Sequence, residues 1–210
     1  MGNEILDPET AKAIQEASKF GTKFLDTADK AGGYTTGILG RLPHNVVGIL
    51  DDWVLHVRVR RYAQLTEETL SILSRRGVKD REEPSPSIAI PLIDAALNET
   101  RDELKTLWAK LLAAALDPSR KNLVRLSLIK VLQQMEPFDA LVLQEIYKQP
   151  GTWTPNGRDY MIARFKCQQE DVLVAFENLK DLKCINFVRE PHIDPLMAPL
   201  GMMLMKAVRD

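Results

Sequence analysis

Leu104-Lys-Thr-Leu-Trp-Ala-Lys-Leu-Leu-Ala-Ala-Ala-Leu-Asp-Pro118 is the stretch that decides the fold. Asp117-Pro118 ends it abruptly, because proline cannot continue a helix. It contains no nucleophile, metal-ligand pair or phosphate-binding loop. It therefore predicts a helix buried on one face of a mainly helical protein, and no site of chemistry. Its apolar residues have the i, i+3, i+4, i+7 spacing of one helix face, and they are Leu104, Leu107, Trp108, Leu111, Leu112 and Ala115.

The composition is ordinary for a globular protein. The 210 residues are 45% hydrophobic, and 28 Lys and Arg against 29 Asp and Glu give a net charge of −1. This near-equal balance of charges gives the protein no overall electrostatic attraction to nucleic acid or to an anionic membrane. Cys167 and Cys184 are too few and too far apart for a disulfide framework or a zinc site. With no secretory signal and no long apolar run, we expect a cytoplasmic protein.

Residues 1–136 are predicted to form a helical body of about six helices. Asp7-Pro8-Glu9 begins the first helix with a carboxylate cap and a proline at the first helical position. Gly32-Gly33 ends that helix. Asn45 is expected to cap a second, long helix that Gly77 ends.

Shorter elements complete this body. Residues 78–87 are charged and proline-containing, which is typical of a surface loop. A helix over 88–97 is expected to bend or restart at Pro91, and Asn98 to cap the helix of Leu104. One more helix ends at Met135, and its periodic residues are Leu123, Leu126, Ile129, Leu132 and Gln133.

Residues 137–210 are predicted to form a winged-helix-like module with a small β-hairpin. Three helices before a hairpin is the winged-helix order. A closing helix over 200–208 would pack on the same core. The predicted elements are helices over 139–149, 156–166 and 169–182, a strand over 184–189 and a return strand over 195–198.

A winged helix raises the hypothesis of DNA binding through its third helix and its wing. Residues 138–210 carry nine Lys and Arg against ten Asp and Glu, however, and phosphate contacts dominate affinity for DNA. We therefore favour protein binding or dimerisation over sequence-specific DNA binding. Arg158, Arg164 and Lys166 on the second helix are the one local basic cluster of this module and are candidate interaction residues, although a solvated helix face also explains them.

Arg58, Arg60 and Arg61 are further candidate interaction residues in the long second helix. Arg58 and Arg61 are three residues apart on one helix face and could bind a phosphate or an anionic lipid head group. We favour the alternative that they pair with acids, either on a neighbouring helix or close by on the same one. The acids in range on the same helix are Asp51, Asp52, Glu67 and Glu68.

The segment from residue 31 to residue 50 has an unusual composition, with five glycines among apolar residues. Gly33 and Gly37 have the spacing that allows close helix packing, and Gly40 follows them. An apolar hairpin within the core is the favoured interpretation, and a hairpin that enters a bilayer after a rearrangement is the alternative. The segment matches neither a P-loop nor a dinucleotide-binding motif.

Catalytic groupings are not evident in the sequence. His44, His56 and His192 occur singly, with no His-x-x-x-His pair for a metal and no Gly-x-Ser-x-Gly turn for a nucleophile. We therefore predict no catalytic, cofactor-binding or metal-binding residues, no cofactor, and a protein that is not an enzyme.

Three stretches together resemble the bacterial abortive infection alpha family. They are Ile90-Pro-Leu-Ile-Asp-Ala-Ala96, Glu103 through Pro118, and Leu132-Gln-Gln-Met-Glu-Pro-Phe-Asp-Ala140, preceded by the glycine-rich segment and the arginine-rich helix. The resemblance covers most of residues 10–150. The ending, from Glu177 to Ile185 with Ala198-Pro-Leu-Gly201, is similar to the winged-helix ending of longer members, but Lys183 stands where they usually have a glycine.

The resemblance implies a role in phage defence and brings no established catalytic residues. We therefore predict a non-enzymatic abortive-infection protein that acts through a protein partner, a second copy of itself or the membrane, with membrane association on activation left open. The alternative is a winged-helix DNA-binding transcriptional regulator, which the charge balance disfavours.

Overall fold

The computed structural model describes residues 52–149, 157–187 and 194–209. Eight α-helices and one two-stranded antiparallel sheet account for most of this part, which confirms a mainly helical fold. The helices are α1 (Asp52–Arg75), α2 (Pro86–Asn98), α3 (Asp102–Leu116), α4 (Leu126–Gln134), α5 (Pro137–Lys148), α6 (Gly157–Phe165), α7 (Gln169–Asp181) and α8 (Pro199–Val208). A 3-10 turn (Lys121–Leu123) precedes α4, and the strands are β1 (Ile185–Phe187) and β2 (Pro195–Met197).

The predicted helix before residue 45 and the glycine-rich segment lie outside the described residues. The predicted count of about six helices in residues 1–136 therefore stays a prediction. In the described part of that range, the long helix ends before Gly77 as predicted. Gly77 has φ +69°, and its amide donates to the Ser74 carbonyl while the Val78 amide donates to the Leu73 carbonyl. This is the Schellman ending, which favours glycine.

Helix α3 occupies the centre of the core. Ten of its 15 residues are buried, so burial extends well beyond the single face that the periodicity predicted. The reason is its alanines: Ala109, Ala113 and Ala114 are all buried and leave room for neighbouring helices to approach closely. Helices α1, α2 and α8 pack against α3, and α5 touches it.

The structure differs from two predictions about where helices begin. The helix α2 runs without interruption through Pro91, so it does not restart there. Asn98 is the last residue of α2, and the N-cap of α3 is Arg101, which makes no side-chain cap. The prediction that Asn98 caps α3 is wrong, because the carboxylate of Glu99 accepts the amides of Thr100 and Arg101 at 2.9 Å instead.

The inward face of α4 is rotated from the predicted one. Leu128, Ile129, Val131 and Leu132 are buried, whereas Leu126 is 46% exposed. Leu126 is the first residue of the helix, where the chain has just left the 3-10 turn. Leu126 therefore lies off the buried face, although its spacing places it in the periodic set.

The C-terminal segment contains α5, α6 and α7, then the hairpin, then α8. In the hairpin, Ile185 pairs with Met197 and Phe187 with Pro195. Helix α7 packs against α5 and α6, and β1 follows it directly. Helix α8 packs against α3 as well as α5, so it joins the two segments divided at residue 136. That division into two domains stays a prediction.

Lys183 connects α7 to β1 in a left-handed conformation, with φ +57°. Its amide donates to the Lys180 carbonyl, and the Cys184 amide donates to the Leu179 carbonyl, both at 2.8 Å. The ending is again a Schellman motif, with lysine at the position that glycine usually takes.

Candidate functional site

The arginine row of α1 lies beside the C-terminal end of α2. Arg58 donates through Nη2 to Asp94 Oδ1 at 3.2 Å and to Asn98 Oδ1 at 3.0 Å. Arg61 donates through Nη1 to the Leu97 carbonyl at 3.1 Å, where a positive charge complements the negative end of the helix dipole. These two side chains hold α1 and α2 together, and Arg58 pairs with an acid of the neighbouring helix rather than with one of its own.

Arg60 faces solvent, unlike the two arginines on either side of it in the row. Gly33, Gly37 and Gly40 lie outside the described residues. The proposed role of these four residues in an interaction stays a prediction.

One residue of the basic cluster of α6, Arg164, lies beside a buried acid of α5. Glu145 is buried and accepts a hydrogen bond from the Tyr160 hydroxyl at 2.7 Å, while Arg164 Nε lies 3.6 Å from its Oε1. Burial alone would raise the pKa of Glu145, but Tyr160 and the charges of Lys148 and Arg164 hold it below its usual range. Arg164 is therefore engaged in packing α6 against α5.

The other two residues of this cluster differ from Arg164. Arg158 donates through Nε to its neighbour Asp159 at 3.0 Å. Lys166 is exposed, and its φ of +52° places it in the turn between α6 and α7. The three predicted residues thus share one helix and its end without converging on a common point of contact.

A cleft of about 300 Å³ opens between α1, α2 and α3. Its lining combines apolar side chains with charges of both signs, including Lys105, whose Nζ lies 2.5 Å from Asp102 Oδ1. Arg61 of the arginine row is one of these charged residues. The lining residues are Arg61, Gln64, Leu65 and Glu68 from α1, Ala96 from α2, Glu99 from the connection, and Asp102, Lys105, Thr106 and Trp108 from α3.

Glu99 lies at the base of the cleft with only 5% of its side chain exposed. Its Oε1 accepts the amides of Thr100 and Arg101 and, at 2.8 Å, Nε of Arg101. Its Oε2 accepts Nη2 of Arg101 at 2.9 Å and the indole Nε1 of Trp108 at 3.2 Å. Five donors therefore surround one carboxylate.

The charge of Glu99 is maintained by these donors. Burial alone would raise its pKa, but the hydrogen bonds from Arg101 and Trp108 and the charge of Arg101 lower it from 4.5 to about 2. The bond to Glu99 in turn raises the pKa of Arg101. Arg101 also donates to the Met135 carbonyl at 3.0 Å, so the network joins the start of α3 to the end of α4.

Sequence reasoning missed Glu99 and Arg101. It assigned Trp108 to the core, which is confirmed at 1% exposure, but its hydrogen bond was not foreseen. The available signal was an acid in a short connection, nine residues before a tryptophan whose indole needs an acceptor when buried.

The outward face of α7 is acidic. Glu170, Asp171, Glu177 and Asp181 are exposed there, and Val174 between them is 60% exposed. Lys180 donates to Glu177 at 3.1 Å and neutralises part of this charge. In a winged helix, this face would be the one presented to a DNA groove.

Comparison with known proteins decides the family. The model of the family described as abortive infection alpha matches residues 56–197, more than half of the chain. The chain belongs to the abortive infection alpha family. No curated protein and no solved structure matches it.

The abortive infection alpha match includes the arginine row, the whole cleft and the acidic face of α7, and it ends at the last residue of β2. Within residues 52–149, 157–187 and 194–209, His, Cys, Asp and Glu side chains form no group of three that could hold a metal ion. In the same part of this family member, no helix is long and apolar enough to cross a membrane.

Proposed function

We propose that this chain is a phage-defence protein of the abortive-infection type that acts by binding rather than by catalysis. The observation that carries the proposal is its membership of the abortive infection alpha family over residues 56–197. The binding role concerns a protein partner or a second copy of the chain, with membrane contact as a further candidate. No cofactor, metal or catalytic residue is part of the proposal.

The engagement of the charged groups supports binding over catalysis. A general base needs a lone pair directed at the substrate. In the part of the chain that the structure describes, the two most enclosed glutamates, Glu99 and Glu145, instead have their oxygens directed at donors of the protein itself. Arg58 and Arg61 are likewise used between helices. These charged groups stabilise the fold and help to shape the surfaces through which the protein would bind.

The arrangement of the C-terminal segment supports its interpretation as a winged-helix adaptor. The three helices α5, α6 and α7 precede a β-hairpin, and α7 packs against the other two. DNA binding is the second candidate function because this order is also that of winged-helix regulators. The acidic outward face of α7 argues against it, since a duplex presents phosphates to that helix.

Phage challenge tests the defence proposal. Cells that express the chain should show a lower efficiency of plating than cells with an empty vector, and dye uptake during infection reports whether the membrane becomes permeable. Arg60→Glu and Lys166→Glu change exposed candidate residues and should weaken protection. Lys206→Glu, on exposed α8 surface, is the matched control. Unchanged plating by the wild-type chain would reject the proposal.

A gel-shift assay tests the DNA-binding alternative. At low salt, where charge interactions are strongest, we expect no retardation of a non-specific duplex. Retardation that Arg158→Glu abolishes, while Lys206→Glu does not, would favour a regulator instead.

A further inference from the structure

Two exposed helix stripes of opposite charge stand out on the described surface. The acidic stripe consists of Glu170, Val174, Glu177 and Asp181 on α7. These residues are spaced i, i+4, i+7 and i+11, so they line one helix face. The side chain of Val174 is 60% exposed, so an apolar group lies among three carboxylates.

The basic stripe lies on α4 and at its N-cap. It consists of Arg125, Leu126, Lys130 and Gln133, all of which are exposed. Leu126 is 46% exposed, and α4 contains no Asp or Glu that would neutralise the two cations. An apolar group is again flanked by charge, here of the opposite sign.

We propose that the acidic stripe of one copy of this chain binds the basic stripe of a second copy. Val174 then packs against Leu126, and the carboxylates flank Arg125 and Lys130. Contact between two complementary helix faces of this kind buries both exposed apolar groups and pairs the opposite charges. A net charge of only −1 means that whole copies do not repel one another.

Among the described residues, no other element covers either stripe. Helix α4 packs against α2, and α7 packs against α5 and α6, and both stripes remain exposed. When one acidic stripe meets one basic stripe, each bound copy still has one stripe available, and repeated contacts build rings or open chains. When both pairs of stripes meet across a two-fold axis, a closed dimer forms.

This inference takes the proposed binding role further by naming a second copy as the partner. A few exposed charge pairs with one small apolar contact make a weak interface, so self-association should be concentration-dependent and sensitive to salt. Salt screens charges beyond a distance of about 10 Å at 0.1 M and about 3 Å at 1 M. The attraction between the two stripes should therefore weaken as the salt concentration rises.

Sedimentation velocity of the full chain over a concentration series tests the proposal. The wild type should form assemblies larger than a monomer at about 0.1 M salt and lose most of them at about 1 M. Reversal of either stripe, by Glu170→Lys with Glu177→Lys or by Arg125→Glu with Lys130→Glu, should lower the association constant by at least about tenfold.

Mixing the two reversed proteins is the decisive step. One of them then carries two basic stripes and the other two acidic stripes, so each should be monomeric alone and their equimolar mixture should assemble again. The control, Glu83→Lys with Lys206→Glu, reverses one exposed charge of each sign away from the stripes and should assemble like the wild type.

A monomeric wild type, or assembly that survives both reversals, would overturn the proposal. Circular dichroism of each variant verifies that it is folded. Phage plating is measured separately, so loss of self-association with intact protection, or the reverse, distinguishes failure of this inference from failure of the defence role.

Discussion

At the scale of single residues, Glu99 connects several parts of the described structure. One carboxylate receives donors from the backbone after α2, from Arg101 and from Trp108, and Arg101 continues to the end of α4. A buried charge is stable only when its partners are complete. Removing the charge should therefore cost more than losing a surface ion pair.

Glu99→Gln should lower the free energy of unfolding by about 3 kcal/mol, because its amide group would bring new donors against those of Arg101 or Trp108. Urea unfolding at neutral pH measures the change. Glu103→Gln alters an exposed acid on α3 and should have little effect. An equal and small effect of both substitutions would contradict the importance of the network.

The pH dependence of stability should follow the same carboxyl. Its pKa is lowered from 4.5 to about 2 in the folded protein, so its contribution is fully present above about pH 5 and disappears as the pH falls towards 2. The stability difference between the wild type and Glu99→Gln, which cancels the other titrating groups, should shrink over that range. A difference that is constant with pH would show that the charge is not responsible.

Gly201 is required by a close backbone approach. A Cβ there would lie 2.2 Å from the carbonyl oxygen of Cys184, which also accepts the Ala198 amide at 2.9 Å. Helix propensity alone predicts that Gly201→Ala stabilises α8 by about 1 kcal/mol. We expect destabilisation of about 1 to 3 kcal/mol instead, because backbone must move. Thermal unfolding gives the sign, and stabilisation would contradict the close contact.

At the scale of elements, two helices end in the same motif with different residues. Gly77 follows α1 and Lys183 follows α7, and both have φ near +60°. Only glycine adopts that conformation without cost. The glycine that the family resemblance led us to expect at 183 is thus absent from the sequence, while the backbone keeps the left-handed turn.

Lys183→Gly should stabilise the protein by up to about 1 kcal/mol, and Gly77→Ala should destabilise it by about 1 kcal/mol. Chemical denaturation of both variants provides the comparison. Lys180→Gly lies inside α7 and should be destabilising, which controls for the substitution of lysine by glycine. The same sign at positions 180 and 183 would exclude the conformational explanation.

At the scale of the whole molecule, α8 joins the two predicted segments. It packs on α3 and α5, and Arg76 and Arg120 both donate to the carbonyl of Arg209 just after it, at 2.6 and 2.5 Å. The residue Leu204 of α8 is 2% exposed. A substitution that destabilises α8 should therefore also destabilise the packing of residues far from it in sequence.

Leu204→Ala should cost about 2 to 5 kcal/mol and lower the stability of both segments together. Trp108 fluorescence, in a Trp53→Phe and Trp153→Phe background, reports the first segment, and circular dichroism reports the whole. We expect the two transitions to coincide before and after the substitution. Lys206→Ala, exposed on the same helix, is the control, and separate transitions would show independent domains.

Much of the fold could be predicted because patterns among neighbouring residues determine where its helices and strands lie. The spacing of Leu104 to Leu112 predicted α3, Gly77 predicted the end of α1, and the strand and turn residues after α7 predicted the hairpin. The candidate site was less predictable. Arg58 and Asp94 are 36 residues apart, and Glu99 lies nine residues before Trp108, so neither contact leaves a local pattern.

The sequence by itself determined that the chain is mainly helical and where most of its elements begin and end. It also determined which family its sequence motifs resemble. Periodicity, caps and breakers act within a few residues and are readable locally. Only the tertiary structure decided that α3 is buried on more than one face, that Leu126 is exposed, and that Glu99 holds a tryptophan and an arginine. These depend on how distant helices pack, and no local spacing encodes that.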